Sequence, residues 1–176
     1  SFIKAIEGIL SADQILTDPA DVYSYGYDNS RQHAMPDMVV QPSSHEQVHK
    51  IVSLCNEYTI ALTARGRGTG TTGATVPLEA GIVLSTERLN KIIKVDPANR
   101  YIVVEPGVTN QEVQDAVKEH GFFWPPDPTS SAYCSIGGNL AYNSAGPRTI
   151  KYGTPRENTF GLRAVTGLAE EIRTGV

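Results

Sequence analysis

Between Met38 and Ser85 short apolar runs alternate with an amphipathic helix, and this order constrains the fold more than any other feature of the chain. Met38-Val39-Val40 reads as a strand ended by Pro42. Ser43 or Ser44 is placed to cap a helix whose apolar face is Val48, Ile51, Val52, Cys55 and Tyr58. Ile60-Ala61-Leu62-Thr63 is a second strand, residues 64–78 form a loop, and Gly81-Ile82-Val83-Leu84-Ser85 is a third strand. Strand, helix, strand, loop, strand makes one small α/β lobe.

The flanking segments carry weaker patterns. Phe2, Ile3, Ile6, Ile9 and Leu10 recur at helical spacing, Ser11-Ala12-Asp13-Gln14 resembles a capping box, and Asp18-Pro19 breaks the pattern. Beyond residue 90, Ile92–Val95 and Tyr101–Val104 flank Asp96-Pro97-Ala98-Asn99-Arg100 as a hairpin. Thr109-Asn110-Gln111-Glu112 is a second capping box, and Gly121 supplies that helix's stop. Residues 162–166 and 171–174 read as paired strands. The chain reaches Gly175-Val176 with no closing helix, which reads as a cut chain.

Composition narrows the function classes. The 176 residues are 40% hydrophobic, too apolar for a disordered tail. Fifteen Lys and Arg against nineteen Asp and Glu leave a net charge of −4, where a nucleic-acid binder needs a basic excess to neutralise phosphates. Two cysteines, Cys55 and Cys134, are too few for a disulfide scaffold and read as reduced thiols. No apolar run reaches the roughly 20 residues of a membrane span, and no secretory leader is evident. The expected location is cytoplasmic. The sixteen glycines and eleven prolines announce specially shaped loops.

Two familiar motifs fail on context. His45-Glu46-Gln47-Val48-His49 matches the zinc-protease pattern. Its residues fall in the first turn after Ser44, with His49 towards the polar side, so no metal site is expected. Gly68-Thr69-Gly70-Thr71-Thr72-Gly73 matches the dinucleotide fingerprint, whose third glycine must lie in a helix. Ala74-Thr75-Val76-Pro77 follows instead, β-branched and ended by a helix breaker. The phosphate-loop reading fails as well, because Ala74 stands where that motif needs Lys. What survives is the underlying physics. Four glycines in the nine residues 65–73, interleaved with Thr and two Arg, let the backbone bend and turn N–H groups to one side. Such a concavity binds anions, phosphates above all.

Residues 134–146 (Cys-Ser-Ile-Gly-Gly-Asn-Leu-Ala-Tyr-Asn-Ser-Ala-Gly) form the second unusual stretch. Paired Gly137-Gly138 weaken a helix by about 1 kcal/mol each relative to Ala, so they need a reason. Either a flat or charged ligand approaches the backbone, or the helix packs tightly on a neighbour. Asn139 and Asn143, four apart, are spaced to present amides on one face.

Taken in order, these segments resemble the FAD-linked oxidases of the vanillyl-alcohol oxidase superfamily. The closest branch is that of glycolate oxidase and D-lactate dehydrogenase. The resemblance runs through residues 36–42 (PDMVVQP), 64–70 (ARGRGTG), 104–108 (VEPGV), 126–130 (PDPTS), 134–141 (CSIGGNLA) and 151–153 (KYG). It implies an α+β fold of two α/β lobes with FAD bound between them, the PCMH-type FAD-binding domain, truncated at its C-terminus. The first lobe would lie within residues 1–90 and an incomplete second within 91–176, with the substrate domain absent.

The resemblance also implies site residues. Gly66, Gly68, Thr69, Gly70 and Thr71 would cradle the FAD pyrophosphate, and Arg65 beside them is counted among the cofactor-binding residues. Pro106 and Gly107 would line the flavin site, and Asp127, Pro128 and Thr129 would lie near the isoalloxazine and ribityl chain. Gly137, Gly138, Asn139, Ala141 and Asn143 would pack along the cofactor. Where some relatives attach FAD through a histidine, Thr69 stands here, so non-covalent FAD is implied. Family members often carry a glycine pair where this chain has Gly146-Pro147. The metal-binding and proton-abstracting residues of the branch sit in its substrate domain, so no catalytic and no metal residue is assigned. The implied activity is oxidation of a 2-hydroxy acid, bound through the missing domain, by hydride transfer to flavin N5. The fragment alone is expected to be inactive, and partner subunits and electron acceptor are left open. The rival is a non-catalytic nucleotide-binding or assembly module that keeps the fold.

Overall fold

Helix α1 (Phe2–Glu7) opens the computed structural model, which describes residues 1–175, and sets Ile6 into the core. The capping box of Ser11 and Gln14 is present, on a single 3₁₀ turn over Ala12–Gln14. Strand β1 (Ile15–Leu16) follows and pairs antiparallel with β2 (Met38–Val40). Asp18-Pro19, read from sequence as a break, instead starts helix α2 (Pro19–Val22). Asp18 accepts the Ala20 N–H at 2.8 Å, and Pro19 takes the first helical position, where a missing N–H costs nothing.

Helix α3 (His45–Tyr58) is capped by Ser44, whose Oγ accepts the Gln47 N–H at 3.2 Å. Strands β3 (Leu62–Arg65) and β4 (Ile82–Ser85) complete a four-stranded sheet of order β1-β2-β4-β3, with β4 parallel to both neighbours. Parallel strands are covered on both faces, which is why they read as unbroken apolar runs. Met38, Val40, Ile82 and Leu84 pack with Ile6, Leu10, Ile51, Leu54 and Cys55 on one face. Val39 and Val83 pack with Val22 on the other. Each such aliphatic side chain contributes about 1.5–3 kcal/mol by burial. The register pairs Val40 with Leu84 and Arg65 with Ser85, so the carboxyl ends of β2, β3 and β4 share one edge. That edge carries Gln41, the loop after Arg65, and Thr86-Glu87.

From Leu89 to Thr159 the chain forms a second compact unit. Strands β5 (Ile92–Asp96) and β6 (Tyr101–Val104) make the expected hairpin. Helix α4 (Asn110–Lys118) begins at the Thr109–Glu112 capping box, and helices α5 (Ile136–Tyr142) and α6 (Thr149–Tyr152) follow. Val108, Val113 and Ile136 form its core, packed by Ile102, Val104, Trp124 and Leu140.

The antiparallel strands β7 (Arg163–Val165) and β8 (Glu171–Arg173) return to the first unit, which comprises Ser1–Arg88 and the segment from Phe160 onward. The sequence boundary near residue 90 assigned residues 91–176 to one lobe; the observed divisions fall after Arg88 and after Thr159. Helix α3 is the cause. Asn56 donates from Nδ2 to Gly167 O at 2.8 Å, and His45 Nε2 lies 2.9 Å from Glu171 Oε2. The chain end at Val176, read from sequence as a cut, lies outside the described residues. Among the described residues no helix is long and apolar enough to cross a membrane.

Candidate cofactor site

Gly66, Gly68, Thr69, Gly70 and Thr71 leave the carboxyl end of β3 as irregular backbone. The carboxyl edge of parallel strands is where open α/β sheets bind ligands. Gly68 sits at φ +65°, a conformation that L side chains rarely adopt. Among the described residues the backbone N–H groups of Gly66, Arg67 and Gly68 donate to no protein acceptor. Consecutive unpaired N–H groups in a half-buried loop are the donor set of an anion-binding concavity, so this loop fits a pyrophosphate.

Arg65 holds the root of the loop. Its guanidinium is buried and donates from Nη1 to Tyr27 O at 2.7 Å and from Nη2 to Ser24 O at 3.1 Å. Nη1 also reaches Thr75 Oγ1 at 3.3 Å, and the group lies 5.7 Å from the Tyr25 ring centroid. Burial draws its pKa below the ordinary arginine value, against the opposing charges of Glu87 and Asp28. A Cβ on Gly68 would come within 2.7 Å of Arg65 Cζ, so Arg65 lies directly against the loop and anchors it to residues 24–27.

Sequence reasoning passed over Asp28 and Asn29. Asp28 is buried and accepts the N–H groups of Ser30 at 2.8 Å and Gly73 at 3.0 Å. Burial raises its pKa, but these bonds and Arg65 outweigh that and hold the carboxyl below its usual range. Asn29 donates its backbone N–H to Gly70 O at 2.9 Å and its Nδ2 to Thr69 O at 3.2 Å. Asp28-Asn29-Ser30 is a recognisable turn sequence. Its partners lie some forty residues on, beyond the reach of local pattern.

In the second unit the glycine stretch is occupied internally. Ile136 and Gly137 donate their N–H groups to Val108 O at 2.8 Å and Pro106 O at 2.9 Å, and Gly138 N–H to Ser135 Oγ at 3.3 Å. A Cβ on Gly137 would stand 2.6 Å from Pro106 Cβ, so of the two sequence readings tight packing explains that glycine. Gly107 is buried and donates to Leu89 O at 2.7 Å. The expected shared face of Asn139 and Asn143 does not exist. Asn139 is buried, with Oδ1 accepting from Asn110 Nδ2 at 3.1 Å. Asn143 lies past the end of α5 at φ 54°, where its Oδ1 accepts the Arg156 N–H at 3.1 Å.

Asp127 is half-buried, its N–H donating to Ala145 O at 2.6 Å and its Oδ2 lying 3.1 Å from Arg148 Nε. Pro128 O accepts the Ser131 N–H at 2.8 Å, and Thr129 and Ala141 are exposed. In the zinc-like motif Glu46 pairs with Lys50 at 2.6 Å and His45 Nε2 meets the Glu171 carboxylate. Among the described residues no three His, Cys, Asp or Glu side chains gather as a metal set. Cys55 and Cys134 are free and buried, and burial raises the Cys55 pKa to about 11.

A glycine loop with unpaired N–H groups at the carboxyl edge of a parallel sheet defines a nucleotide-cofactor-binding domain. The chain belongs to the FAD binding domain family, whose sequence pattern matches residues 36–175. It is 39% identical over 152 residues to glycolate oxidase subunit GlcD of Bacillus subtilis (strain 168), covering 86% of this chain and 32% of that protein. It is 41% identical over 138 residues to D-lactate dehydrogenase of Archaeoglobus fulgidus, covering 78% and 31%. In fold it matches an alkyldihydroxyacetonephosphate synthase structure at TM-score 0.90 and 24% identity, over 98% of this chain and 37% of that one. The chain thus spans about a third of the length of the curated relatives it matches. The α+β fold, the family resemblance and FAD as cofactor all agree with the sequence reading.

Proposed function

We propose that this chain is the cofactor-holding domain of a flavin-dependent oxidoreductase that oxidises a small 2-hydroxy acid of the glycolate or D-lactate type. The carrying observation is the run of unpaired N–H groups at residues 66–68 on the carboxyl edge of the sheet. The substrate class is supported by the relatives, one a component of a glycolate oxidase and one a D-lactate dehydrogenase. The first of these names also supports a place in a multi-subunit enzyme. When bound, FAD supplies the two-electron acceptor for oxidation of the carbinol carbon.

The chain's own residues bind and orient. Gly66, Gly68 and Gly70 offer backbone donors to the diphosphate, with the Thr69 and Thr71 hydroxyls beside them, and Arg65 braces the loop. In the second unit Pro106, Gly107, Asp127, Pro128 and Thr129 are assigned to the flavin end, and Ala141 to the cofactor-facing side of α5. Gly137, Gly138, Asn139 and Asn143 shape the backbone behind them. No residue of this chain is assigned a catalytic role.

Calorimetric titration of the whole protein, freed of flavin, with FAD and with FMN, which lacks the diphosphate bridge and the adenosine, tests the reading. FAD should bind and FMN bind far more weakly. Equal binding of the two, or none, overturns it. Reduction of the flavin by glycolate or D-lactate in the whole protein tests the substrate class.

A further inference from the structure

The glycine loop is also held by an exposed residue forty positions before Thr69. Asn29 grips two successive carbonyls: its Nδ2 takes Thr69 O at 3.2 Å and its backbone N–H takes Gly70 O at 2.9 Å. In a trans peptide the carbonyl and the following N–H point in opposite directions. Drawing the Thr69 carbonyl towards the Asn29 amide therefore turns the Gly70 N–H, which donates to no protein acceptor among the described residues, away from residue 29. Asp28 fixes the far end of the loop through Gly73, and Arg65 fixes its root through Tyr27 and Ser24.

We propose that Asn29 is a positioning residue for the cofactor: its side-chain amide sets the Thr69–Gly70 peptide so that the Gly70 N–H joins the donors of residues 66–68 in holding an anion. The inference rests on the FAD reading and deepens it. Preorganised donors bind tighter because the ordering cost is met before the ligand arrives. Asn29 is exposed, so its side-chain bond can be removed without opening a cavity.

The experiment compares the wild-type whole protein with its Asn29→Ala and Asn29→Gln variants, using inorganic pyrophosphate and FAD as probes. Loss of one neutral hydrogen bond to the loop should weaken both probes about 3- to 10-fold in Asn29→Ala. Its melting temperature should stay at the wild-type value. The pyrophosphate-induced shift of the Gly70 amide resonance should shrink with it, and Asn29→Gln, which keeps an amide donor, should recover affinity. Unchanged affinity in Asn29→Ala overturns the proposal, as does a loss of melting temperature with the Gly70 shift intact. If the wild type binds pyrophosphate but not FAD, the FAD reading falls while the pyrophosphate series still decides the role of Asn29. If it binds neither, both fall.

Discussion

Asn110 Nδ2 donates to Asn139 Oδ1 at 3.1 Å and to Pro126 O at 2.9 Å, and both asparagines are buried. One amide thereby ties the start of α4 to the middle of α5 and to the proline turn that leads into Asp127. Asn110→Leu removes the donor and leaves two buried acceptors without it. The expected loss is about 1–3 kcal/mol, because an unmade buried hydrogen bond costs the desolvation of its partners. Denaturant titration checks this. A midpoint equal to wild type would mean that the turn is held by other contacts.

Gly137 and Gly138 are neighbours in sequence with opposite expected outcomes. A Cβ on Gly137 meets Pro106 Cβ at 2.6 Å and Pro106 O at 3.1 Å. Gly137→Ala should therefore cost about 1–3 kcal/mol as overpacking. A Cβ on Gly138 meets only Ser135 Oγ, at 3.2 Å, and Ala is favoured over Gly in a helix by about 1 kcal/mol. Gly138→Ala should be close to neutral. Thermal unfolding of the two variants side by side separates packing from conformational entropy.

These pairs show where sequence reasoning stopped. Strands β2 and β4, helix α3 and both capping boxes were readable because their signals are local: apolar runs, a 3.6-residue period, and Ser or Thr three residues before Gln or Glu. The glycine loop was readable as an anion site because residue type alone permits the backbone to bend. Asn143 was misread because the period-four rule assumes that the helix continues, and α5 ends one residue earlier at Tyr142. The bracing role of Arg65 was not readable, because its carbonyl partners, Ser24 and Tyr27, lie about forty residues away and carry no sequence mark. The return of β7 and β8 to α3 is likewise a long-range contact that no window contains.

The hairpin of β7 and β8 should carry an acid-sensitive contact. Arg163, bonded to Glu171 at 2.7 and 2.9 Å, holds the Glu171 carboxyl down at about 2, with Arg173 and His45 adding to the effect. A carboxyl depressed in the folded state stabilises fully above its ordinary value of 4.5. That contribution drains away as pH falls from there towards about 2. The stability difference between wild type and Glu171→Gln should thus be largest near neutral pH and close over this acid window. A difference that is flat with pH counts against the ion pair.

Cys55 should be inert in the native chain. Burial raises its thiol to about 11, so the reactive thiolate is scarce at neutral pH. A chromogenic disulfide reagent should label Cys55 slowly in buffer and promptly in denaturant. Prompt labelling of Cys55 in the native state would show that the α3 face opens far more often than its packing implies.

The last expectation concerns how flavin is held. Attachment at the position where some relatives carry a histidine needs a nucleophile there, and residues 64–78 contain neither histidine nor cysteine. Thr69, at the position where some relatives carry a histidine, has a hydroxyl that is a poor nucleophile without an adjacent base. Its carbonyl is turned to Asn29, which serves the backbone orientation of the loop rather than any activation of the hydroxyl. The remaining donors are backbone N–H groups, which hold an anion reversibly. FAD should therefore leave the protein quantitatively on acid precipitation and remain in the supernatant. Adding a Cβ at Gly68 should release it without acid. Gly68→Val drives side-chain atoms against the Arg65 guanidinium, so it should lower both flavin occupancy and melting temperature, through the Ser24 and Tyr27 anchors. Flavin retained in the acid pellet would refute reversible binding, and full occupancy in Gly68→Val would move the diphosphate away from this loop.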